Sequence, residues 1–505
     1  MSYKRKIERV FLLFPPIRNF RENILFLISP LGISYIASFI RSEVEVKIMD
    51  AAIEGPNQKV TLDKDFELLG TPYSEIMSRI EEFRPDIVGI SCLWSTLFPV
   101  VRELCRQIKK IDKDILTITG GTHPTFLTEY CLEESSLDMV VLGEGESTML
   151  SIIHHLREGR SLSDIDGLAF RDGDRVIVNQ KTRFIENLDS IPFPARDLLP
   201  MEQYKRAGMP HSITISGRNS APIVTSRGCT ARCTFCSSSR FWGYRYRFRS
   251  PENVLDEIGE LVSRWGIEEI QFEDDNITAK RSRAKAIFKG IIDRGYKIKF
   301  SFPNGIVLWT LDEELLDLLV AAGCYEMTLA FESGCQDVLR DIVKKPTNLE
   351  KARKISRILQ SKGIRTRGFY VIGLPGETKQ QMLETFKFAD ETKTDLAYFF
   401  VANPLPGTEF YEIAKKRDML RDDFNFENNT FNRSAYHEKI FPKGELEKMI
   451  SHQFFKYAIR SFFRNPLLML KVFFLELLFK RPGKALGYLI KLLSRTRNAL
   501  YLSDD

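Results

Sequence analysis

The stretch that decides the fold is residues 223–236, IVTSRGCTARCTFC, in which a short apolar run leads into three cysteines. The run has the length and branched content of a β-strand. Cys229, Cys233 and Cys236 are spaced CxxxCxxC, and the nearest histidine in the chain is His211. Three thiolates can bind three irons of a 4Fe-4S cluster and leave the fourth iron open to an external ligand. A structural zinc site is the competing interpretation, but it requires four ligands.

Length and composition narrow the classes of protein further. The chain has 505 residues, 43% hydrophobic and 28% charged, which fits two to four packed domains and excludes a disordered chain. Its eight cysteines are too sparse for a disulfide scaffold. No secretory segment opens the sequence. We therefore expect a cytoplasmic protein whose thiols are free to bind metal.

The first region alternates strand-like runs with longer helical patterns. This alternation of strands and helices predicts a parallel sheet covered by helices, with ligands bound beyond the carboxyl ends of its strands. The strand candidates are residues 10–14 (VFLLF), 44–49 (VEVKIM), 86–91 (DIVGIS), 115–121 (ILTITGG) and 139–143 (MVVLG).

A second strand and helix alternation begins at the cysteine stretch. Six βα units would form an open (β/α)6 barrel, a partial TIM barrel with its chemistry at the carboxyl ends of the strands. The candidates are residues 223–229 (IVTSRGC), 267–274 (IEEIQFED), 297–305 (KIKFSFPNG), 325–334 (YEMTLAFESG), 366–376 (TRGFYVIGLPG) and 395–407 (DLAYFFVANPLPG). We expect an α/β chain with an N-terminal Rossmann-like domain over residues 1–160, a linker over 161–217 that includes a hairpin turn at RDGDR, the barrel over 218–420, and a helical, basic amphipathic region over 421–505.

The positive charge is concentrated at the end of the chain. The formal net charge is +6, yet residues 456–497 contain ten bases and only one acid, Glu476. The rest of the protein is slightly acidic, which argues against nucleic-acid binding. No apolar run there is long enough to span a bilayer. Two interpretations stay open: a basic amphipathic surface that lies on an anionic membrane, and a helical cap packed on the barrel.

The motifs resemble those of the radical S-adenosylmethionine (SAM) enzymes. Their signature is CxxxCxΦC with an aromatic residue at Φ, which is Phe235 here. The resemblance implies that Cys229, Cys233 and Cys236 hold a 4Fe-4S cluster whose open iron binds SAM. One electron then cleaves SAM to methionine and a 5′-deoxyadenosyl radical.

The resemblance extends to later strand ends and implies SAM contacts there. Phe235 would pack near the adenine. Asp274 and Asp275, in FEDDN, would meet the SAM amino group, and Glu332 with Ser333, in ESG, would lie near its ribose and methionyl group. Residues 368–376 (GFYVIGLPG), with Gly373, would pair with the adenine edge.

The first region resembles the cobalamin-binding domain of the cobalamin-dependent radical SAM enzymes, over roughly residues 8–160. The matching segments are residues 30–41 (PLGISYIASFIR), 86–94 (DIVGISCLW), 120–125 (GGTHPT) and 143–146 (GEGE). Residues at strand ends are candidate cobalamin contacts, since glycine permits close approach of a bulky ligand. They are Pro15, Trp94, Gly121, His123, Gly143 and Glu144. A plain nucleotide-binding sheet is the alternative.

The chain departs from many cobalamin domains in lacking the DxHxxG motif, whose histidine ligates cobalt from below. We therefore expect cobalt without a protein imidazole beneath it, His123 in a hydrogen-bonding role, and Trp94 as a bulky neighbour of the lower face. Arg247 and Arg249 would either hold an anionic group of SAM or substrate, or form salt bridges.

The sequence thus predicts an enzyme with a 4Fe-4S cluster, SAM and cobalamin as cofactors. The leading hypothesis is methylation of an unactivated carbon of a hydrophobic, lipid-like substrate, with flavodoxin or ferredoxin as electron donor. The alternatives are a radical SAM oxidative cyclase or carbon-carbon bond-forming enzyme on a lipid or tetrapyrrole, and a non-catalytic cobalamin or iron-sulfur sensor. Basic C-terminal helices suggest peripheral contact with the inner face of the membrane.

Overall fold

The computed structural model describes residues 6–470, except residues 22, 24–25, 56–57, 208–210, 212–215, 218, 432 and 438. Two parallel sheets, each with its own hydrophobic core, form the body of the molecule. A helical segment follows the second sheet.

The first sheet contains the five parallel strands that the sequence predicts, in the order β8-β7-β6-β1-β3. Its strands are β1 (Arg9–Phe14), β3 (Glu45–Asp50), β6 (Ile87–Ser91), β7 (Leu116–Gly120), β8 (Met139–Val141), β9 (Leu168–Asp172) and β10 (Arg175–Val178). The last two form the hairpin predicted at RDGDR, and β9 pairs antiparallel with β8. The first sheet thus continues into the predicted linker over 161–217, as far as Val178.

Amphipathic helices cover this sheet. In α4, for example, Val101, Leu104, Cys105 and Ile108 recur on one face and are buried. The helices are α1 (Leu31–Ile40), α2 (Ala51–Glu54), α3 (Tyr73–Phe83), α4 (Phe98–Ile111), α5 (Thr122–Phe126), α6 (Thr128–Leu132), α7 (Glu146–Glu158) and α8 (Met201–Ala207).

A small antiparallel sheet beside the first one is not predicted by the sequence. It consists of β2 (Ile17–Phe20), β5 (Phe66–Leu69) and β4 (Lys59–Thr61), in that order. All three residues of β4 are exposed, so this strand has no alternation of apolar and polar residues to mark it.

The second sheet has six parallel strands in chain order, which confirms the six consecutive βα units. Its strands are β11 (Ser220–Ile223), β14 (Glu269–Phe272), β15 (Lys299–Ile306), β16 (Cys324–Glu332), β17 (Arg365–Ile372) and β18 (Leu396–Val401). The helices are α10 (Pro251–Trp265), α11 (Arg281–Asp293), α12 (Glu313–Ala322), α13 (Leu349–Ser361), α14 (Lys379–Thr392) and α15 (Glu409–Lys416). A π-helical turn, Val338–Val343, precedes α13. The cysteine loop lies between β12 (Ser226–Arg227) and α9 (Ser238–Phe241), and β12 pairs with β13 (Arg247–Phe248).

In the C-terminal region, residues 421–444 are mostly irregular, and helices α16 (Glu445–Arg464) and α17 (Pro466–Leu470) follow them. Helix α16 packs against β18. Residues 471–505, which hold most of the basic residues of the predicted tail, lie outside the described residues. Within residues 6–470, no helix is both long and apolar enough to cross a membrane.

A buried charge network joins the two halves. Arg227 on β12 donates from Nη1 to Glu144 Oε1 at 2.9 Å and from Nη2 to Glu146 Oε1 at 2.5 Å. Arg247 on β13 also donates to Glu144, at 2.6 Å. Burial opposes ionisation of Glu144, but the two guanidiniums lower its pKa below the ordinary value. Two cations from the second half thus meet two anions from the first, at the residues that flank the cysteine loop.

We predict that Arg227→Met destabilises the protein by about 3–5 kcal/mol, because it leaves the Glu146 carboxylate buried beside no cation of this network. Arg245→Met is the matched control, since its pair with Glu186 is solvent-exposed and exposed pairs contribute about 0–1 kcal/mol. Urea unfolding followed by tryptophan fluorescence measures both. A small decrease in the free energy of unfolding that is equal in both variants would contradict the prediction.

Candidate active site between the two sheets

One large cavity of about 990 Å³ lies where the two sheets face each other. The first half contributes the carboxyl ends of β1, β6, β7 and β8, and the second contributes residues of the cysteine loop and of the segments that follow β14 and β15. Leu405, Pro406 and four residues between Phe426 and Phe431 complete the wall. The cavity is thus at the carboxyl edges of both sheets, where parallel α/β proteins bind their ligands.

The cysteine loop presents its thiols at this cavity. Cys236 lines the cavity, and Cys229 and Cys233 are half-buried behind it. The Ala231 amide donates to Cys229 Sγ at 3.5 Å, and the Ser238 amide donates to Cys236 Sγ at 3.4 Å. Donors aimed at sulfur favour thiolates. Burial is the main reason that the pKa of Cys233 is raised to about 12, and Glu332 and Cys229 nearby raise it too, against the lowering effect of Lys345.

The thiols are not arranged around a single ion. Among residues 6–470 with the stated gaps, no group of three His, Cys, Asp or Glu side chains surrounds one metal position. Within these residues the cluster assignment therefore rests on the CxxxCxxC spacing of Cys229, Cys233 and Cys236.

The loop is held from behind by the π-helical turn and α15. The Thr234 amide donates to Val343 O at 3.1 Å, and its hydroxyl donates to Ile342 O at 2.8 Å. The Phe410 amide donates to Thr234 O at 2.8 Å. Phe235 packs against the core of the second sheet and is not among the cavity-lining residues. Its predicted adenine contact stays a prediction.

The two adjacent aspartates after β14 have different surroundings. Asp274 is buried and accepts hydrogen bonds from the Thr225 amide and hydroxyl and from the Ser226 hydroxyl, so it ties β14 to the strand that enters the cysteine loop. Asp275 lines the cavity and accepts from Ser238 Oγ at 2.7 Å. Of this predicted pair, Asp275 is the carboxylate available to a ligand.

Glu332 has a partner that sequence reasoning missed. Buried Lys345 donates from Nζ to Glu332 Oε1 at 2.7 Å and to Ala330 O at 2.8 Å. Burial opposes the charge of Lys345, but Glu332 and the nearby cysteines raise its pKa above the ordinary value. Glu332 also has a positive φ of 66°, an unusual conformation for a residue with a side chain. Nothing in VKKPT distinguishes this buried lysine from a surface one.

Ser333 and Gly373 shape their turns. The Ser333 hydroxyl lies 3.0 Å from Thr385 Oγ1 and accepts from the Cys335 amide. Gly373 has φ of 83°, and a Cβ there would lie 2.7 Å from the Leu446 side chain. Its amide donates to Glu377 Oε2 at 2.8 Å. Neither Ser333 nor Gly373 lines the cavity, and Glu332 does not line it either.

The predicted cobalamin contacts divide into two groups. Trp94, Gly121, Gly143 and Glu144 line the cavity. Pro15 and His123 do not. His123 lies beneath the strand ends, where Nδ1 is 2.9 Å from Ser95 Oγ and the ring packs on Phe98. Burial, with Arg102 nearby, lowers the pKa of His123 to about 4. The structure thus gives His123 a hydrogen bond and no cavity contact.

Two further candidates, Arg247 and Arg249, form salt bridges. Arg247 pairs with Glu144, and Arg249 pairs with buried Glu257, which also pairs with Arg196 at 2.6 Å. The predicted salt bridges are thus present for both arginines, and their alternative role in binding an anionic group stays a prediction. Glu144 likewise has its carboxylate oxygens occupied by Arg227, Arg247 and the Ile185 amide.

Comparison with known proteins agrees with this geometry. Residues 19–153 match the B12 binding domain, and residues 223–389 match the radical SAM superfamily. The chain is 34% identical to cytidylyl-2-hydroxyethylphosphonate methyltransferase from Streptomyces wedmorensis, over 86% of each chain. It is 29% identical to anaerobic magnesium-protoporphyrin IX monomethyl ester cyclase from Rubrivivax gelatinosus, over 77% of this chain and 68% of that one. The radical SAM methyltransferase TsrM from Kitasatospora setae has the same fold, with a TM-score of 0.67 at 19% identity, over 82% of this chain and 77% of that one.

The residues present fit the cofactors of this family. Cys229, Cys233 and Cys236 would hold the cluster, with amide donors already directed at two of the sulfurs. Asp275 would offer a carboxylate to the SAM ammonium. Gly120, Gly121, Gly143 and Gly145 line the first sheet's side of the cavity, and at Gly121 a Cβ would lie 2.5 Å from Cys92 O, so only glycine permits this close packing of the strand ends that would hold cobalamin.

We predict that Cys229→Ala, Cys233→Ala or Cys236→Ala abolishes the iron-sulfur cluster, since each removes one of three protein ligands. Cys324→Ala is the matched control, because Cys324 is buried at the start of β16 and belongs to no cysteine group. Iron and sulfide content and the EPR signal of the reduced protein decide the outcome. A full cluster in any of the three variants would refute the assignment.

We predict that Glu377→Gln makes the protein more stable above pH 7. Burial raises the pKa of Glu377 to about 7, so the folded state retains a proton that the unfolded chain loses at lower pH. The wild type therefore loses stability as pH rises from its unfolded pKa toward 7, and the loss is complete above 7. The glutamine has no such loss, and its carbonyl can accept the same amide bonds from Gly373 and Leu374.

Urea unfolding of wild type and Glu377→Gln at pH 5 and at pH 8 measures this difference. The stability advantage of the variant should be larger at pH 8. An advantage that does not change with pH would show that the buried carboxyl ionises normally.

Proposed function

Because the chain belongs to the cobalamin-dependent radical SAM enzymes, we propose that it transfers a methyl group from SAM to an unactivated carbon of a hydrophobic substrate. The similarity to a methyltransferase at 34% identity over most of both chains supports methyl transfer. When bound, the cofactors supply the radical and the methyl group. The chain supplies the cavity that holds them and the substrate together.

The observation that carries the proposal is that both cofactor regions open into one cavity. Cys236 and Asp275 from the second half, and Trp94 and Gly121 from the first, line the same space. A substrate in that space would lie between the two cofactors. Holding reactants in one geometry accelerates a reaction more than any single group can, and needs no protein nucleophile.

The wall of the cavity supports a substrate that is largely apolar. Its hydrophobic side chains include Phe14, Phe20, Leu27, Leu31, Phe426 and Phe431. Of the arginines and lysines in the described part of the chain, only Arg18 and Arg227 line it. Arg18 donates to Glu427 O and Asn428 Oδ1, and Arg227 belongs to the buried network. Apolar and neutral side chains therefore make up most of the wall, which suits an apolar or neutral group of the substrate.

Oxidative cyclisation without methyl transfer is the second candidate, and the 29% identity to a cyclase favours it. Incubation with SAM labelled at its methyl group separates the two. The cofactor-loaded enzyme, reduced flavodoxin, labelled SAM and extracted polyisoprenoid lipids are combined without oxygen. Mass spectrometry of the lipids should show the label in a product formed together with 5′-deoxyadenosine. Product without label would support cyclisation and refute methyl transfer.

We predict that Glu273→Gln lowers the yield of methylated product per 5′-deoxyadenosine about tenfold. Glu273 lines the cavity, where Oε2 lies 3.0 Å from both His211 Nδ1 and Asn304 Nδ2. Among the described residues its Oε1 has no hydrogen-bond partner, so this carboxylate has acceptor capacity beyond its bonds to His211 and Asn304 that a hydroxyl group of a substrate in the cavity would use. The weaker acceptor in Glu273→Gln would misorient the substrate while SAM is still cleaved.

Glu313→Gln on α12 is the control, since its pair with Lys354 is exposed. Cluster and cobalamin content should be unchanged in both variants. An unaltered product ratio in Glu273→Gln would exclude Glu273 from substrate orientation.

A further inference from the structure

Helix α16 has two faces with opposite environments. On the inner face, Tyr457 donates to Thr394 O at 2.5 Å and Ser461 donates to Asp395 O at 2.6 Å. Both residues are buried. This face caps the β18 edge of the second sheet, so the helix is an integral part of the fold.

The outer face presents a continuous row of large apolar side chains to solvent. Spacings of three and four residues place them on one side of α16 and carry the row into α17. The apolar ridge consists of Phe455, Ile459, Phe462, Phe463, Leu467 and Leu470. Phe463 is 78% exposed and Leu467 is 80% exposed. A contiguous apolar patch on a protein surface marks an interaction site.

The charges beside the ridge are all positive. Lys456, Arg460 and Arg464 are exposed along α16, and the sequence has no Asp or Glu between residues 448 and 475. Arg460 pairs with Asp390, and Arg464 lies over the Tyr457 ring. Within the described part of the chain, Lys456 has no ion pair. A ridge of Phe and Leu flanked by bases has the composition of a surface that lies in an anionic lipid interface.

We propose that α16 and α17 bind the protein to the surface of an anionic membrane through the apolar ridge. An anionic membrane is the partner that we favour, because its negative charge complements the bases beside the ridge. A second copy of the chain would bring the same bases against the ridge. Residues 471–505 would also bring mainly bases, since they contain seven Lys or Arg against Glu476, Asp504 and Asp505. The proposal is independent of the reaction, because none of the ridge residues lines the cavity.

The test is flotation of the full chain, loaded with cofactors, with vesicles of phosphatidylcholine and phosphatidylglycerol in equal parts. Binding should be strong with these vesicles, weak with phosphatidylcholine alone, and reduced by salt. Phe463→Ser with Leu467→Ser should lower the bound fraction about tenfold. Lys456→Gln with Arg464→Gln should lower it roughly fivefold for each base, and only on the anionic vesicles.

The matched control is Val60→Ser with Leu62→Ser, which removes two exposed apolar side chains at the small sheet. It should bind like the wild type, and circular dichroism checks that every variant is folded. No flotation of the wild type, or equal binding by the ridge variant, overturns the proposal. The proposal is also overturned if the wild type is a dimer and the ridge variant is a monomer, because a second copy then covers the ridge. It is likewise overturned if a chain that ends at Leu470 binds vesicles and the full chain does not.

Discussion

The constraint on which the site depends is the neutral, buried set of Arg227, Arg247, Glu144 and Glu146 between the two halves of the protein. Charges this far from water are tolerated only when each has its partner, so the two halves are stable in one relative position. Arg227 is separated from Cys229 by a single glycine, and Glu144 is one residue beyond Gly143 at the end of β8. The same contacts that join the halves thus fix the spacing between the cysteine loop and the strand ends of the first sheet.

The buried charge network also affects how charge is distributed around the cavity. Glu144 and Glu146 are neutralised by arginines, and burial raises the pKa of Asp50 to about 7 while its carboxylate accepts from Tyr204. Asp275 and Glu273, on the side of the cysteine loop, have no arginine or lysine partner among the described residues. Burial raises the pKa of Asp275, so a cationic group bound beside this carboxylate would favour its ionised form.

Short sequence patterns correctly predicted those features of the structure that depend on neighbouring residues, namely the strands and the cysteine loop. Strand-length apolar runs predicted the strands of both parallel sheets, and the CxxxCxxC spacing predicted the cysteine loop. The missed features depend on distant partners or on burial: Arg227 with Glu144, 83 residues apart, Lys345 with Glu332, 13 residues apart, and the buried Glu377 beside the Gly373 turn. A buried charged residue and an exposed one look identical in a sequence. Only the tertiary fold determines which of them is buried and paired. The aspartate pair shows the same limit, since FEDDN places both residues at a strand end but cannot say which one faces the cavity.

The C-terminal helices show the same limit of sequence-based prediction at the protein surface. From sequence, a cap on the sheet and an amphipathic outer surface are competing interpretations of one basic segment. The structure shows that the single helix α16 has both environments. Ser461 and Tyr457 donate inward to the segment before β18, while Phe455, Ile459 and Phe463 are exposed on the outer face. An ordinary helix that only capped a sheet would place its apolar residues inward. The inverted arrangement costs solvation free energy in water, and that cost is recovered when an apolar phase covers the ridge.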